Sequence, residues 1–306
     1  MLFLLAGLAH TVIGAGATLT EHYQLARQQA AIRNQSGTCR IAIGVEYNGR
    51  HFHGWQRQAS PAVATVQQML EAALAKVADQ PVVVQCAGRT DAGVHALGQV
   101  AHFDVAIDRG ERAWVLGTNS HLPDSVRVVW ARAVAPDFHA RYSAITRRYQ
   151  YWIDNGSIAT AVFAGQLTHW PYPLDAQLMH KEAQALLGEQ DFSAFRAAAC
   201  QSNSPMRNVH ALAVTRLDQR LCIDITANAF LLHMVRNITG ALLEVGAGRR
   251  EPGWLAGLLA ERDRRMAPAT ARPDGLYLHS VRYPPGFGLP DPSRALFATG
   301  SALENA

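Results

Sequence analysis

From Arg40 the chain switches abruptly into period-two alternation: Ile41, Ile43, Val45 and Tyr47 are apolar, their neighbours are smaller or polar, and the run stops at Asn48-Gly49. Alternation of this kind reads as a strand with one buried face, and Asn-Gly is a strong turn signal. Thr65 with Gln68 then makes a capping-box pattern, and Val66, Met69, Leu70, Ala73, Leu74 and Val77 recur at helical spacing, which predicts a helix packed beside that strand. Further strands are expected at 82–87, 100–105 and 126–134, with a weaker helix at 111–116. A second series opens with a strand at Arg147–Ile153. It continues with a helix near 175–187, strands at 209–217 and 221–227, and a helix from Leu231 towards Val245 whose stripe is Leu231, Val235, Ile238, Leu242 and Val245. A short helix at 254–262 and a strand at 276–283 close it. Strands separated by one helix and then paired through short turns exclude a doubly wound parallel sheet. They predict an α+β fold: two α/β-sandwich-like domains with mainly antiparallel mixed sheets, helices packed on one face, and a cleft between them.

Length fits this division, since 306 residues at about 150 per domain gives two. The expected boundaries are an N-terminal extension over 1–37, expected to be flexible, domains over 38–142 and 143–285, and a tail over 286–306. A hydrophobic share of 49% excludes disordered and fibrous classes. Cys39, Cys86, Cys200 and Cys222 form no C-x-x-C pair, so neither a zinc ribbon nor a disulfide framework is written here, and a reducing cytoplasm fits. The opening MLFLLAGLAHTVIGAGA lacks a basic flank, is interrupted by His10 and Thr11, and is too short to span a membrane. Net charge is +4. Only Lys76 and Lys181 are lysines, which leaves 26 of the 28 basic residues as arginine. The planar arginine fork suits bidentate phosphate contact and stacking on bases, although a genomic bias towards Arg codons leaves the same trace.

The densest unusual string runs from Gly88 to Val100, between two expected strands: Gly88-Arg89-Thr90-Asp91-Ala92-Gly93-Val94-His95-Ala96-Leu97-Gly98-Gln99-Val100. Its three glycines let a loop turn sharply and let a ligand approach the backbone. It is neither a P-loop nor a dinucleotide fingerprint. By chemistry alone Asp91 is a candidate nucleophile or general base, or else a turn-capping aspartate beside a solvated Arg89.

This string resembles the active-site signature of the tRNA pseudouridine synthase A family, and other blocks extend the resemblance in order. They are Tyr47-Asn48-Gly49, Phe52-His53-Gly54-Trp55-Gln56-Arg57-Gln58, Phe138-His139-Ala140-Arg141, Arg147-Arg148-Tyr149-Gln150-Tyr151, Asn228 to Asn237, Ala267-Pro268-Ala269 and Gly275-Leu276. Together they span about Arg40 to Pro284. The resemblance implies the pseudouridine synthase fold and isomerisation of uridine to pseudouridine at positions 38 to 40 of transfer RNA, with no metal or organic cofactor. It also implies a homodimer in which one transfer RNA touches both subunits. Carried over residue by residue, Asp91 is the catalytic carboxylate, Tyr149 stacks on the target base, Arg236 pairs with the carboxylate, and Leu276 walls the uracil pocket.

A uridine stacked in a stem must be extruded, and Arg89 beside Asp91 is suited to fill the vacated stack. Arg57, Arg141, Arg147 and Arg148 are candidates for phosphate contact. Phe52, His53 and Trp55 could stack on RNA or simply pack locally. One departure stands out: Leu232 occupies the place where the family pattern usually has a histidine. Two other readings remain. One is an RNA-binding module without chemistry. The other is an N-glycosidic hydrolase pairing Asp91 with Asp104 or Glu46. Metal hydrolysis is weaker, because His51 with His53, or His95 with His102, makes no zinc spacing.

Overall fold

The computed structural model describes residues 37–58 and 63–290. The expected N-terminal extension (all but residue 37) and most of the expected tail (291–306) lie outside the described residues.

The chain runs β1 (Cys39–Tyr47), α1 (Val66–Ala78), β2 (Gln85–Cys86), β3 (His95–Val105), β4 (Val126–Val134), β5 (Thr146–Asp154), β6 (Thr168–His169) and α2 (Ala176–Ala183). It continues with β7 (Gly188–Asp191), β8 (Met206–Leu217), β9 (Arg220–Ala227), α3 (Met234–Gly246), α4 (Trp254–Glu261) and β10 (Leu276–Arg282). The fold is α+β around one mostly antiparallel sheet of order β4-β1-β3-β10-β5-β9-β8-β7, with β2 added to β3 and β6 to β5. β10, the last strand, lies antiparallel to β5 and parallel to β3, so the sheets of the two halves are continuous through it.

Local signals account for the helices that flank this sheet. The Thr65 hydroxyl accepts the Gln68 N–H at 3.3 Å and caps α1, whose Val66, Leu70, Ala73 and Leu74 are buried. Of the expected stripe, Val235, Ile238, Leu242 and Val245 are buried in α3, while Leu231 is buried ahead of the helix, which starts only at Met234 after the left-handed His233. Each large apolar side chain so buried contributes about 1.5–3 kcal/mol. The segment expected as a helix at 111–116 contains a π-helical turn, Ala113–Gly117, which buries Trp114.

Two faces of the sheet differ. On β5, Tyr149, Tyr151 and Ile153 join the main core, whereas Trp152 points the other way and clusters with Leu167, Cys222 and Tyr277. The strand expected over 82–87 is only two residues long. Its partner edge on β3 is divided, with β2 pairing at Ala101–His102 and β10 at His95–Ala96. Gly275 permits this insertion, because a Cβ there would stand 2.3 Å from the Trp152 carbonyl oxygen.

Candidate active site

The Gly88–Val94 loop joins β2 to β3 and is held by buried polar side chains. The Gln99 amide, fully buried, donates to Gly88 O at 2.7 Å and accepts from Gly88 N at 3.4 Å. Tyr47 Oη and Thr90 Oγ1 bond at 2.8 Å, and Trp55 N donates to Thr90 O at 3.0 Å. Gly54 makes the last contact possible: its φ is +88°, and a Cβ there would sit 2.7 Å from Thr90 O. At the loop's end His95 Nδ1 accepts from Gly49 N at 3.0 Å, so Nε2 carries the proton that bonds Asp274 O at 3.1 Å. Burial lowers His95 to about 4, which keeps it neutral. His95 thus works as a strut, as does His102, whose Nδ1 accepts from Ala140 N at 3.2 Å. Among the described residues no group of three or more His, Cys, Asp or Glu side chains is placed to hold a metal ion.

Asp91 projects into a cleft of about 840 Å³ and is the one carboxylate among the described residues that line it. Arg236 Nη1 donates to Asp91 Oδ2 at 3.0 Å, and His233 Nε2 stands 3.3 Å from the same oxygen. Oδ1 takes no hydrogen bond from the described residues. Arg236 is itself fixed, since its Nε donates to Ala271 O at 2.8 Å. The Arg236–Asp91 pair spans 145 positions and ties α3 to the signature loop. His233 caps the start of α3 at φ 61°, an uncommon conformation for a residue with a side chain.

Tyr149 is buried beside this carboxylate, with its ring edge-to-face to Phe230 at 5.0 Å. Burial, reinforced by the Asp91 charge, pushes its hydroxyl above the ordinary tyrosine range, so it is protonated at neutral pH. Leu276, at the start of β10, lines the same cleft. Arg89 and Arg141 also line it; both are exposed, and Arg89 has no protein partner among the described residues.

Arg147 lines the cleft too, but its guanidinium is committed to the carbonyls of Ala87, Arg141, Ala144 and Asn228. Burial lowers its pKa. Arg148 lies on the opposite face of the sheet, paired with Asp224 at 2.6 Å, outside the cleft lining. Arg57 pairs with Glu71 at 2.7 Å beside the lining residue Gln56. Phe52 and Trp55 are buried, Trp55 packing on Tyr47 at 5.9 Å and lining the cleft, whereas His53 is exposed and outside the lining.

Sequence reasoning missed His233, although it sits in a block that carries the resemblance; nothing local announces its left-handed backbone. It also passed over Gln99 and Thr90 as loop struts. A buried-polar reading of the same string could have found them, because a loop this rich in glycine needs side-chain partners.

A family model described as tRNA pseudouridine synthase matches residues 43–143 and 183–284. tRNA pseudouridine synthase A of Shewanella amazonensis is 55% identical over 251 residues, covering 82% of this chain and 95% of that protein. The protein of the same name from Pasteurella multocida is 54% identical over 82% of this chain and 94% of its own length, and that of Pectobacterium atrosepticum 51% over 90% and 97%. Among solved structures, a Cbf5-Nop10-Gar1 complex overlaps weakly, with a TM-score of 0.28 and 12% identity over 66% of this chain and 45% of that one, which carries no argument. On the family model and these relatives, the chain belongs to the tRNA pseudouridine synthase family.

Proposed function

We propose that this protein isomerises uridine to pseudouridine in transfer RNA, at positions 38 to 40 of the anticodon arm, with Asp91 as the catalytic carboxylate. The reaction breaks the N1–C1′ bond, turns the uracil and joins C5 to C1′. The C5 hydrogen leaves as a proton and N1 gains one, so no redox agent is consumed. The observation that carries the reading is the asymmetry of Asp91: Arg236 and His233 hold Oδ2, and Oδ1 is left free for the sugar or the base.

The positions of the other residues support their proposed roles. Tyr149 gives the extruded uracil a flat wall, and its raised pKa makes the hydroxyl a hydrogen-bond donor, not a base. Leu276 closes the apolar side of the pocket. Arg89, exposed and unpaired next to Asp91, fills the gap left in the RNA stack, which offsets part of the few kcal/mol that flipping costs. Arg141 meets phosphate directly, whereas Arg147 acts by fixing the turn that carries Arg141. Arg57, half exposed at the edge, is a peripheral phosphate contact. The working unit is a homodimer acting in the cytoplasm.

The hydrolase reading loses support, because a paired-carboxylate mechanism needs a second acid in the site. Neither Asp104, which pairs with Arg40, nor Glu46 is among the lining residues. Transfer RNA labelled with tritium at uridine C5 tests the proposal. Release of tritium by the parent protein and none by Asp91→Ala, with binding retained, is the expected result. Tight binding without release by either protein would leave a binding module, and free uracil would restore the hydrolase.

A further inference from the structure

Among the described aromatic side chains that line the cleft, Tyr142 alone is exposed, at 76%. It lies in the connection between β4 and β5, beyond Arg141, and it has no contact with Asp91, Arg236 or His233. An isolated exposed aromatic is ordinary. This one is unusual because the backbone beneath it is rigid. His139 N donates to Ser143 Oγ and Ser143 N returns to His139 O, each at 2.9 Å. The N–H groups of Arg141 and Tyr142 both donate to His139 Nδ1, at 3.1 and 3.3 Å, while His139 Nε2 bonds Gln85 Oε1 at 2.8 Å. Ala140 is held at both ends, its N–H on His102 Nδ1 and its carbonyl under the Tyr283 hydroxyl. Arg147 fixes the Arg141 carbonyl.

The ring itself is propped as well as exposed. His139 packs against it with centroids 4.3 Å apart at 36°, and the Arg141 guanidinium stands 5.6 Å from its centroid. Val83, 72% exposed, lines the same cleft, two residues from the Gln85 that anchors His139. A preoriented ring loses little conformational entropy on binding, and beside unpaired arginines its natural partner is the flat face of a base on a phosphate backbone.

We propose that Tyr142 is a stacking platform for a nucleobase of the RNA other than the uridine that reacts. Tyr149 and Leu276, buried at the carboxylate, serve the reacting base; Tyr142 serves a neighbour, and with Arg141 it sets how the strand enters the cleft. The inference rests on the proposed RNA-modifying function.

The test uses the full chain and anticodon-arm RNA carrying the fluorescent base 2-aminopurine, placed in turn at each nucleotide flanking the target. Binding to the parent should quench the probe at one position. Tyr142→Ala should remove that quench and raise Kd roughly 5- to 150-fold while the single-turnover rate at saturating protein is kept. Tyr142→Phe and Tyr142→Trp should retain the quench and the affinity. Thermal unfolding confirms that each variant is folded. The platform is overturned if the parent binds and turns over RNA while Tyr142→Ala keeps its Kd and quench, or if Tyr142→Phe is as weak as Tyr142→Ala, which would mean a hydroxyl contact. A parent that neither binds nor modifies the RNA overturns the functional reading itself.

Discussion

Two arginine–aspartate pairs lie on opposite faces of the same sheet. On the face away from the cleft, Arg148 grips Asp224 with Nε and Nη2, and Gln150 adds a third donor, so both carboxylate oxygens are engaged. In the cleft, Arg236 reaches Asp91 through a single nitrogen and shares one oxygen with His233. The first carboxylate is saturated and the second is left incomplete. A pair that serves the fold satisfies all of its acceptors, whereas a pair that serves a reaction fixes the group's orientation and keeps one lone-pair set open.

The largest expected effect tests this contrast directly. Asp91→Asn keeps the shape and a hydrogen-bonding oxygen for Arg236 but removes the charge, and it should lower tritium release by about a thousandfold or more. Asp224→Asn, the same chemical change on the other face, should leave release near the parent rate. Because it weakens the bonds to Arg148 and Gln150, it should cost about 1–3 kcal/mol of stability, read by urea unfolding. Equal losses of rate in the two variants would break the distinction.

Arg236→Lys comes next. A lysine cannot hold Ala271 O and Asp91 Oδ2 together as the guanidinium does. The rate constant should fall about a hundredfold, with affinity for transfer RNA little changed, as measured by single-turnover kinetics beside filter binding. His233→Ala removes the weaker of the two partners and should cost about tenfold.

Parts of this were legible in the sequence because they depend on near neighbours. The β1 alternation, the Thr65 cap and the α3 stripe are local; the strand and α1 fall where expected, and α3 starts three residues later, at Met234. The expected strand over 82–87 is cut short by a non-local event: the Val84 N–H and carbonyl are taken by Glu71 and Gln67 of α1 instead of by β3. Asp91 stood out by chemistry as one of two readings, but its pairing with Arg236 was legible only through the resemblance, since nothing in either segment announces a contact across the whole fold. The side of the sheet that Arg148 takes was readable. This arginine shares strand parity with Gln150 and Trp152, not with Tyr149, so period-two alternation already separates it from Arg147 and from the cleft.

A smaller effect concerns pH. His95 and His102 are buried and neutral, each lowered to about 4 from an ordinary 6.5. Their folded pKa values lie below the unfolded ones, so the unfolded chain binds more protons as the pH drops from about 6.5 to 4. Stability is full above about 6.5 and is lost progressively over that window, by at most about 3 kcal/mol per histidine. Both struts support the cleft side, His95 at the Asp91 loop and His102 beneath Ala140. Hydrogen exchange at pH 5 should therefore rise first at 88–95 and 139–143, while β8 and β9 stay protected. Uniform loss of protection would show that the two faces do not open separately.

The smallest effect sharpens the contrast most narrowly, at neighbouring arginines. Each phosphate contact contributes about one unit to the slope of log affinity against log salt. Arg141 is exposed in the cleft, and its side chain has no carboxylate partner among the described residues, so Arg141→Ala should flatten that slope by about one. The Arg148 guanidinium is already neutralised by Asp224 and faces away from the cleft. Arg148→Ala should leave the slope unchanged and show only in the unfolding midpoint. A flattened slope for Arg148→Ala would mean that RNA also reaches the far face of the sheet, and the division of labour between the two arginine–aspartate pairs would then fail.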